Sequence, residues 1–139
     1  MSAVDDLLET MRTQQRSTIE RIKDVTEEQM LGATSYGKRE VNARFMFYRL
    51  IAHEVEHTVH MAKTLNGLGI IQGEAEMILK QLQAARGELE GMLIGLTDDD
   101  LDRVPAEGGW SVREVVQHIL DADETYTSRI EESARPSKA

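Results

Sequence analysis

Three of the chain's four histidines fall in one octet, "HEVEHTVH" at residues 53–60. Imidazole is a nitrogen ligand for late first-row divalent ions and a proton carrier near neutral pH, so metal chemistry is the first reading of such crowding. A helix turns about 100° per residue, which places His53, His57 and His60 within about 60° of one another. The fourth, His118, stands among Val115, Val116, Ile119 and Leu120, where an unpaired polar ring would be costly if buried. His53, His57 and His118 are the candidate metal ligands; His60, a turn further on, is expected at the rim of the site or outside it. Three imidazoles leave coordination positions open, as in catalytic rather than structural zinc. The competing reading is a solvated helix face, because Glu54 and Glu56 show that part of this segment meets water.

Other site chemistries fit less well. A ferritin-like di-iron centre needs two ExxH pairs; Glu54 with His57 supplies one, but His118 is preceded at that spacing by Val115. The string "HEVEH" matches the HExxH of zinc proteases, yet nothing in the chain reads as a sheet to bind their peptide substrate. Glu56, about 60° from His53 around the helix, is the candidate for orienting a ligand or moving a proton. Its alternative is an ordinary solvated acid. With no cysteine in the chain, thiolate ligands, disulfides and a cysteine nucleophile are excluded.

The elements that must hold these residues are helical. The 139 residues suit one domain, here 1–139, and include only two prolines, both outside the periodic segments. Val4, Leu8, Met11, Gln15, Thr18, Ile22 and Val25 form one helical stripe. Ala75, Leu79, Leu82, Arg86, Leu89, Leu93 and Leu96 form another, each 71 residues after its counterpart. Even the polar interruptions, Gln15 and Arg86, coincide. The agreement continues into "VTEEQM" and "LTDDDL", two short connector helices opened by threonine with Gln29 or Asp100 three residues on. Loops "GATSYG" and "DRVPAEGG" follow, and then a second long helix in each half. One runs through "KREVNARFMFYRLIAHEVEHTVHMAKTL" to "NGLG"; the other opens with the capping pattern of Ser111 and Glu114. Aligning these helices on His53 and His118 sets Phe45 opposite Trp110, with a six-residue insertion in the first half. The fold class is therefore all-α: a four-helix bundle of two similar α-α hairpins, about 3–69 and 73–134, joined by short connectors.

Charge narrows the partners. A net charge of −9 repels phosphate backbones and anionic lipid, so no nucleic acid and no membrane partner is expected. The start "MSAVDDLLET" lacks the pattern of a leader, and no stretch is apolar enough to span a bilayer, which makes the cytoplasm the expected location. Phe45, Phe47 and Tyr48 read as core packing, with an interface anchor as the alternative. Trp110 reads as a hydrophobic staple beside the Ser111 cap, and the tail "SARPSKA" as frayed.

The stretch "GGWSVREVVQHILDADETY", residues 108–126, resembles the signature of the DinB-like superfamily, in which a Trp-Ser pair opens a bundle helix and a histidine follows the tryptophan by eight residues. "HEVEHTVHMAKTLNGLG", residues 53–69, resembles its HxxxH helix. The resemblance implies a four-helix bundle, often a homodimer, whose three histidines hold a divalent metal, commonly zinc or nickel. His118 matches the lone ligand, and His53 and His57 the HxxxH pair. It also implies a small-molecule substrate: relatives include transferases and isomerases that use low-molecular-weight thiols such as mycothiol or bacillithiol, and hydrolase chemistry is the companion expectation. The family's Trp-Ser helix normally precedes its HxxxH helix, whereas here the hairpins stand in swapped order. A non-catalytic bundle, metal-binding or metal-free and homodimeric, is the alternative function.

Overall fold

The computed structural model describes residues 2–135. It is all-α in architecture, with four long helices: α1 Ala3–Ile22, α2 Ala43–Gly67, α3 Glu74–Gly91 and α4 Val112–Ser133. One small antiparallel hairpin, β1 Ala33–Tyr36 with β2 Arg39–Asn42, precedes α2. Single 3₁₀ turns at Gln29–Leu31 and Asp98–Asp102 take the places expected for the connector helices. The chain divides into two compact units, Met1–Ile94 and Gly95–Ala139.

Helix starts follow from side chains that satisfy the backbone N–H groups a first turn leaves unpaired. Ser2 Oγ accepts from Asp5 N at 3.1 Å, and Asp5 Oδ2 accepts from Ser2 N at 3.2 Å. At the same offset in the other half, Glu76 accepts from the backbone N–H of Gly73 at 3.1 Å. Thr26 and Gln29 exchange bonds of 3.0 and 3.2 Å, and Thr97 N–H donates to Asp100 at 2.9 Å. The 71-residue repeat therefore survives as repeated capping chemistry. At the second helices it lapses: with Phe45 set opposite Trp110, Phe45 lies in the first turn of α2, while Trp110 precedes the Ser111 cap of α4.

The segment before α2 differs from the sequence expectation. Residues 38–42, read as helix, form a turn residue and strand β2, with Ala33 opposite Asn42 and Tyr36 opposite Arg39. Gly37, at φ +61°, occupies the first central position of the two-residue turn, as a type II′ hairpin requires. Asn42 then ends the strand and caps α2, its Oδ1 accepting from Phe45 N at 2.9 Å. Strand-prone Val41 and Tyr36 complete a pattern that helical periodicity alone does not reveal. The other end of α2 stops as its glycines imply: Gly69 takes φ +69°, and Ile70 N–H reaches back to Leu65 O at 3.0 Å, closing a Schellman-type terminus.

Among the described residues no apolar side chain is fully buried, and Ser111, 4% exposed, is the one buried residue. Phe45 and Phe47 are half-buried, and Phe45 packs on Tyr36 with ring centroids 5.4 Å apart. Tyr48 is exposed. On α2 Ile51, Val55 and Val59 present an accessible apolar stripe. Of the tail, Ser133 is the last helical residue and residues 136–139 lie outside the described residues. No helix among those described is long and apolar enough to cross a membrane.

Ser111 and Glu114 bond reciprocally at 3.2 Å in both directions. Replacing Ser111 by Ala removes the acceptor for Glu114 N–H and is expected to cost about 1 kcal/mol. Thermal unfolding followed by circular dichroism should show the loss, with Ser111→Asp retaining most of the wild-type stability.

Candidate metal-binding site

The imidazoles of α2 stand on one face because an unbroken helix carries them there. His53 meets His57 edge-on with ring centroids 4.4 Å apart, and His57 is 5.5 Å from His60. All three side chains are exposed. His57 Nδ1 and His60 Nδ1 lie 3.3 Å apart, a hydrogen bond when one ring carries its proton there and the other offers its lone pair. That bond fixes the orientation of His57 and leaves its Nε2 available to another partner. His60 thus has a definite place beside His57. By helical rotation the apolar stripe of Ile51, Val55 and Val59 runs down the opposite side of α2.

Glu56 borders the imidazole face and is already engaged. Arg49, two turns earlier, donates from Nη1 to Glu56 Oε1 at 3.0 Å and from Nη2 to Oε2 at 3.4 Å. Hydrogen bonding to Arg49, followed by its positive charge, holds the Glu56 carboxyl below the ordinary range, with smaller contributions from His53 and His57. A carboxylate stabilised in this way is a weaker proton acceptor, which favours an electrostatic role over proton transfer. Arg49 also lies 5.6 Å from the Tyr36 ring centroid, joining β1 to the edge of the histidine face. Arg49 and Tyr36 were not singled out by sequence. The pairing of Arg49 with Glu56 had a visible signal in their spacing of seven residues, whereas the place of Tyr36 depends on the β hairpin.

His118 is exposed on α4 in the second unit. It meets Trp110 edge-on, with centroids 4.9 Å apart. Trp110, 54% exposed, therefore packs against the imidazole two turns into the helix. Ser111 and Glu114 lock the first turn between them, and Arg113 is held to Asp102 at 2.7 Å, tying α4 to the preceding 3₁₀ turn.

Among the described residues, no group of three or more His, Asp or Glu side chains is arranged to hold an ion. The donor chemistry on α2 nevertheless suits a late divalent metal: two adjacent imidazoles, one of them oriented through its second nitrogen. His53 and His57 are therefore the fitting pair within their own unit.

A four-helix, all-α chain with an imidazole-bearing helix face is the class defined by these observations. The family model of the DinB superfamily matches residues 81–139, a stretch containing Trp110, Ser111 and His118. The likeness to that superfamily covers less than half of the chain. His53 and His57 precede the matched residues. No curated protein and no solved structure matches the chain.

Two measurements test this geometry. Because the Glu56 pKa is lowered in the folded chain, the Arg49 pair contributes stability above the ordinary carboxylate range, and that contribution is lost as pH falls through the lowered value. The stability difference between wild type and Arg49→Met, from urea unfolding at a series of pH values, should therefore shrink on acidification. Separately, Trp110 is the single tryptophan, so Ni²⁺ bound at His118 should quench the protein's indole emission. The quenching should disappear in His118→Ala.

Proposed function

We propose that the chain is a divalent-metal-dependent enzyme acting on small molecules, of the thiol-dependent transferase or hydrolase type, with His53, His57 and His118 as the metal ligands. The observation that carries this reading is the His53–His57 contact at 4.4 Å, with His57 oriented by a hydrogen bond to His60. For His118, the support is its place in the Trp-Ser motif and in the segment matched by the DinB superfamily. Three nitrogen ligands suit zinc or nickel. When bound, the ion supplies Lewis acidity that makes a water or a low-molecular-weight thiol more acidic.

The chain's own residues have separable tasks in this proposal. His53 and His57 present imidazole nitrogens from successive turns of a rigid helix, so little ordering is required of them on binding. His60 keeps His57 turned through the Nδ1 contact. Glu56, held ionised by Arg49, places negative charge beside the imidazole face and favours a cation there. Trp110 restricts the rotation of His118 from one side.

Metal content by inductively coupled plasma mass spectrometry provides the test, on untagged protein from metal-replete medium. Near-stoichiometric zinc or nickel is expected in wild type, falling at least tenfold in both His53→Ala and His118→Ala. Metal retained by His118→Ala and lost from His53→Ala would restrict the site to α2; no metal in wild type after zinc and nickel loading would overturn the reading.

The second reading is a non-catalytic homodimeric bundle. It is favoured by the apolar stripe on α2, where Ile51, Val55 and Val59 are each at least 60% exposed. Its signature would be a dimeric mass by light scattering in metal-free wild type that becomes monomeric in Val55→Glu.

A further inference from the structure

Arg49 carries more commitments than an ordinary helix-surface arginine. It stands one turn before His53 on α2, and its two terminal nitrogens hold both oxygens of Glu56, Nη1 to Oε1 at 3.0 Å and Nη2 to Oε2 at 3.4 Å. Its guanidinium also lies 5.6 Å from the Tyr36 ring centroid, so strand β1 bears on it as well. The Arg49 side chain is 23% exposed, against 58% for Glu56, and its Nε is shielded from solvent with no hydrogen-bond partner. A donor left in that state is unfavourable. The contacts at the tip and face of the guanidinium are therefore what hold it in place.

The acid so clamped is a neighbour of the imidazoles. His53 and Glu56 are three residues apart, a separation that sets helical Cβ atoms about 5–6 Å from each other, and both His53 and His57 contribute to the lowered proton affinity of Glu56. A carboxylate at that spacing can share an ion with a histidine, as the Glu-x-x-His pairs of di-iron bundles do with the residues in the opposite order. Here both oxygens are instead engaged by a planar fork. Glu9 and Arg16 have the same seven-residue spacing on α1, but that pair meets through a single nitrogen and a single oxygen at 3.2 Å, and both side chains are open to solvent. Support for the helix alone explains the α1 pair better than the bidentate, half-buried one beside the histidines.

We propose that Arg49 is a positioning residue that keeps Glu56 off a metal ion bound at His53 and His57, so that the ion's remaining positions stay open to an external ligand. The inference rests on the metal reading given above. A carboxylate joining the imidazoles would add negative charge to the ion, reduce its Lewis acidity and occupy a position that a water or thiol needs. Held by Arg49, Glu56 acts on the ion through space. Arg49 has no contact with the ion in this role: it acts through Glu56, and Tyr36 acts through Arg49.

Titration of Co²⁺ into chelator-treated full-length protein, followed by the ion's visible absorption, provides the test. The spectrum reports affinity and ligand set together, because the bands weaken when further ligands join a tetrahedral site. Arg49→Met is expected to bind Co²⁺ about tenfold more tightly than wild type, with weakened bands, a gain that a folding defect cannot mimic. Arg49→Lys, which engages the carboxylate at one point, should gain less. When Arg49→Met is combined with Glu56→Gln, the gain should disappear and the wild-type spectrum return. A gain that persists in the double variant would come from loss of the Arg49 charge alone and would overturn the proposal, as would equal or weaker binding in both Arg49 variants. Either result leaves the metal reading standing where wild type binds Co²⁺ and His53→Ala does not; absence of Co²⁺ binding by wild type would overturn both.

Discussion

The period of the α-helix along α2 is the constraint on which the candidate chemistry depends. Over residues 43–67 the backbone is unbroken, and the same rotation per residue that stacks His53, His57 and His60 carries Ile51, Val55 and Val59 to the other side. One element thereby presents a nitrogen-rich face and an apolar face without tertiary contacts to sort them. A single proline or a bulge between residues 49 and 60 would separate Arg49 from Glu56 and scatter the imidazoles. The caps at Asn42 and Gly69 define the ends of that register, and so contribute to the site from outside it.

Electrostatics refine what the helix arranges. Glu56 is the acid best placed by position to serve the imidazoles, yet its bond to Arg49 lowers its proton affinity. That distinction between place and protonation separates an orienting charge from a general base. Arg49 in turn lies against Tyr36, so the small hairpin before α2 borders the chemistry. In the second unit, His118 depends on a different local device, an indole set against it by a helix start that Ser111 and Glu114 hold closed.

Much of this was legible from residue order. Four helices, the threonine-opened connectors, the Ser111 cap, the glycine stop after α2 and the shared face of three histidines all arise from contacts within about eight residues, where spacing maps directly onto geometry. The hairpin at 33–42 was not. Its residues lie beside a long helical pattern that masks a four-residue strand, and its register depends on a turn at Gly37 together with cross-strand pairing. The Trp110–His118 contact was also hidden, because the sequence shows the staple position of Trp110 but not which side chain its ring will meet. Similarly, Gln15 and Arg86 could be recognised as matching interruptions, but not as lining one cleft between α1 and α3.

By itself, then, the sequence determined the helices, their caps and the angular grouping of His53, His57 and His60, because helical backbone geometry converts separation along the chain into direction. Only the folded structure decided that Glu56 is bound by Arg49, that Tyr36 approaches that pair, and that Gln15 and Arg86 line one cleft. These outcomes rest on side-chain rotamers, a strand register and the approach of elements distant in sequence, none of which a local period specifies.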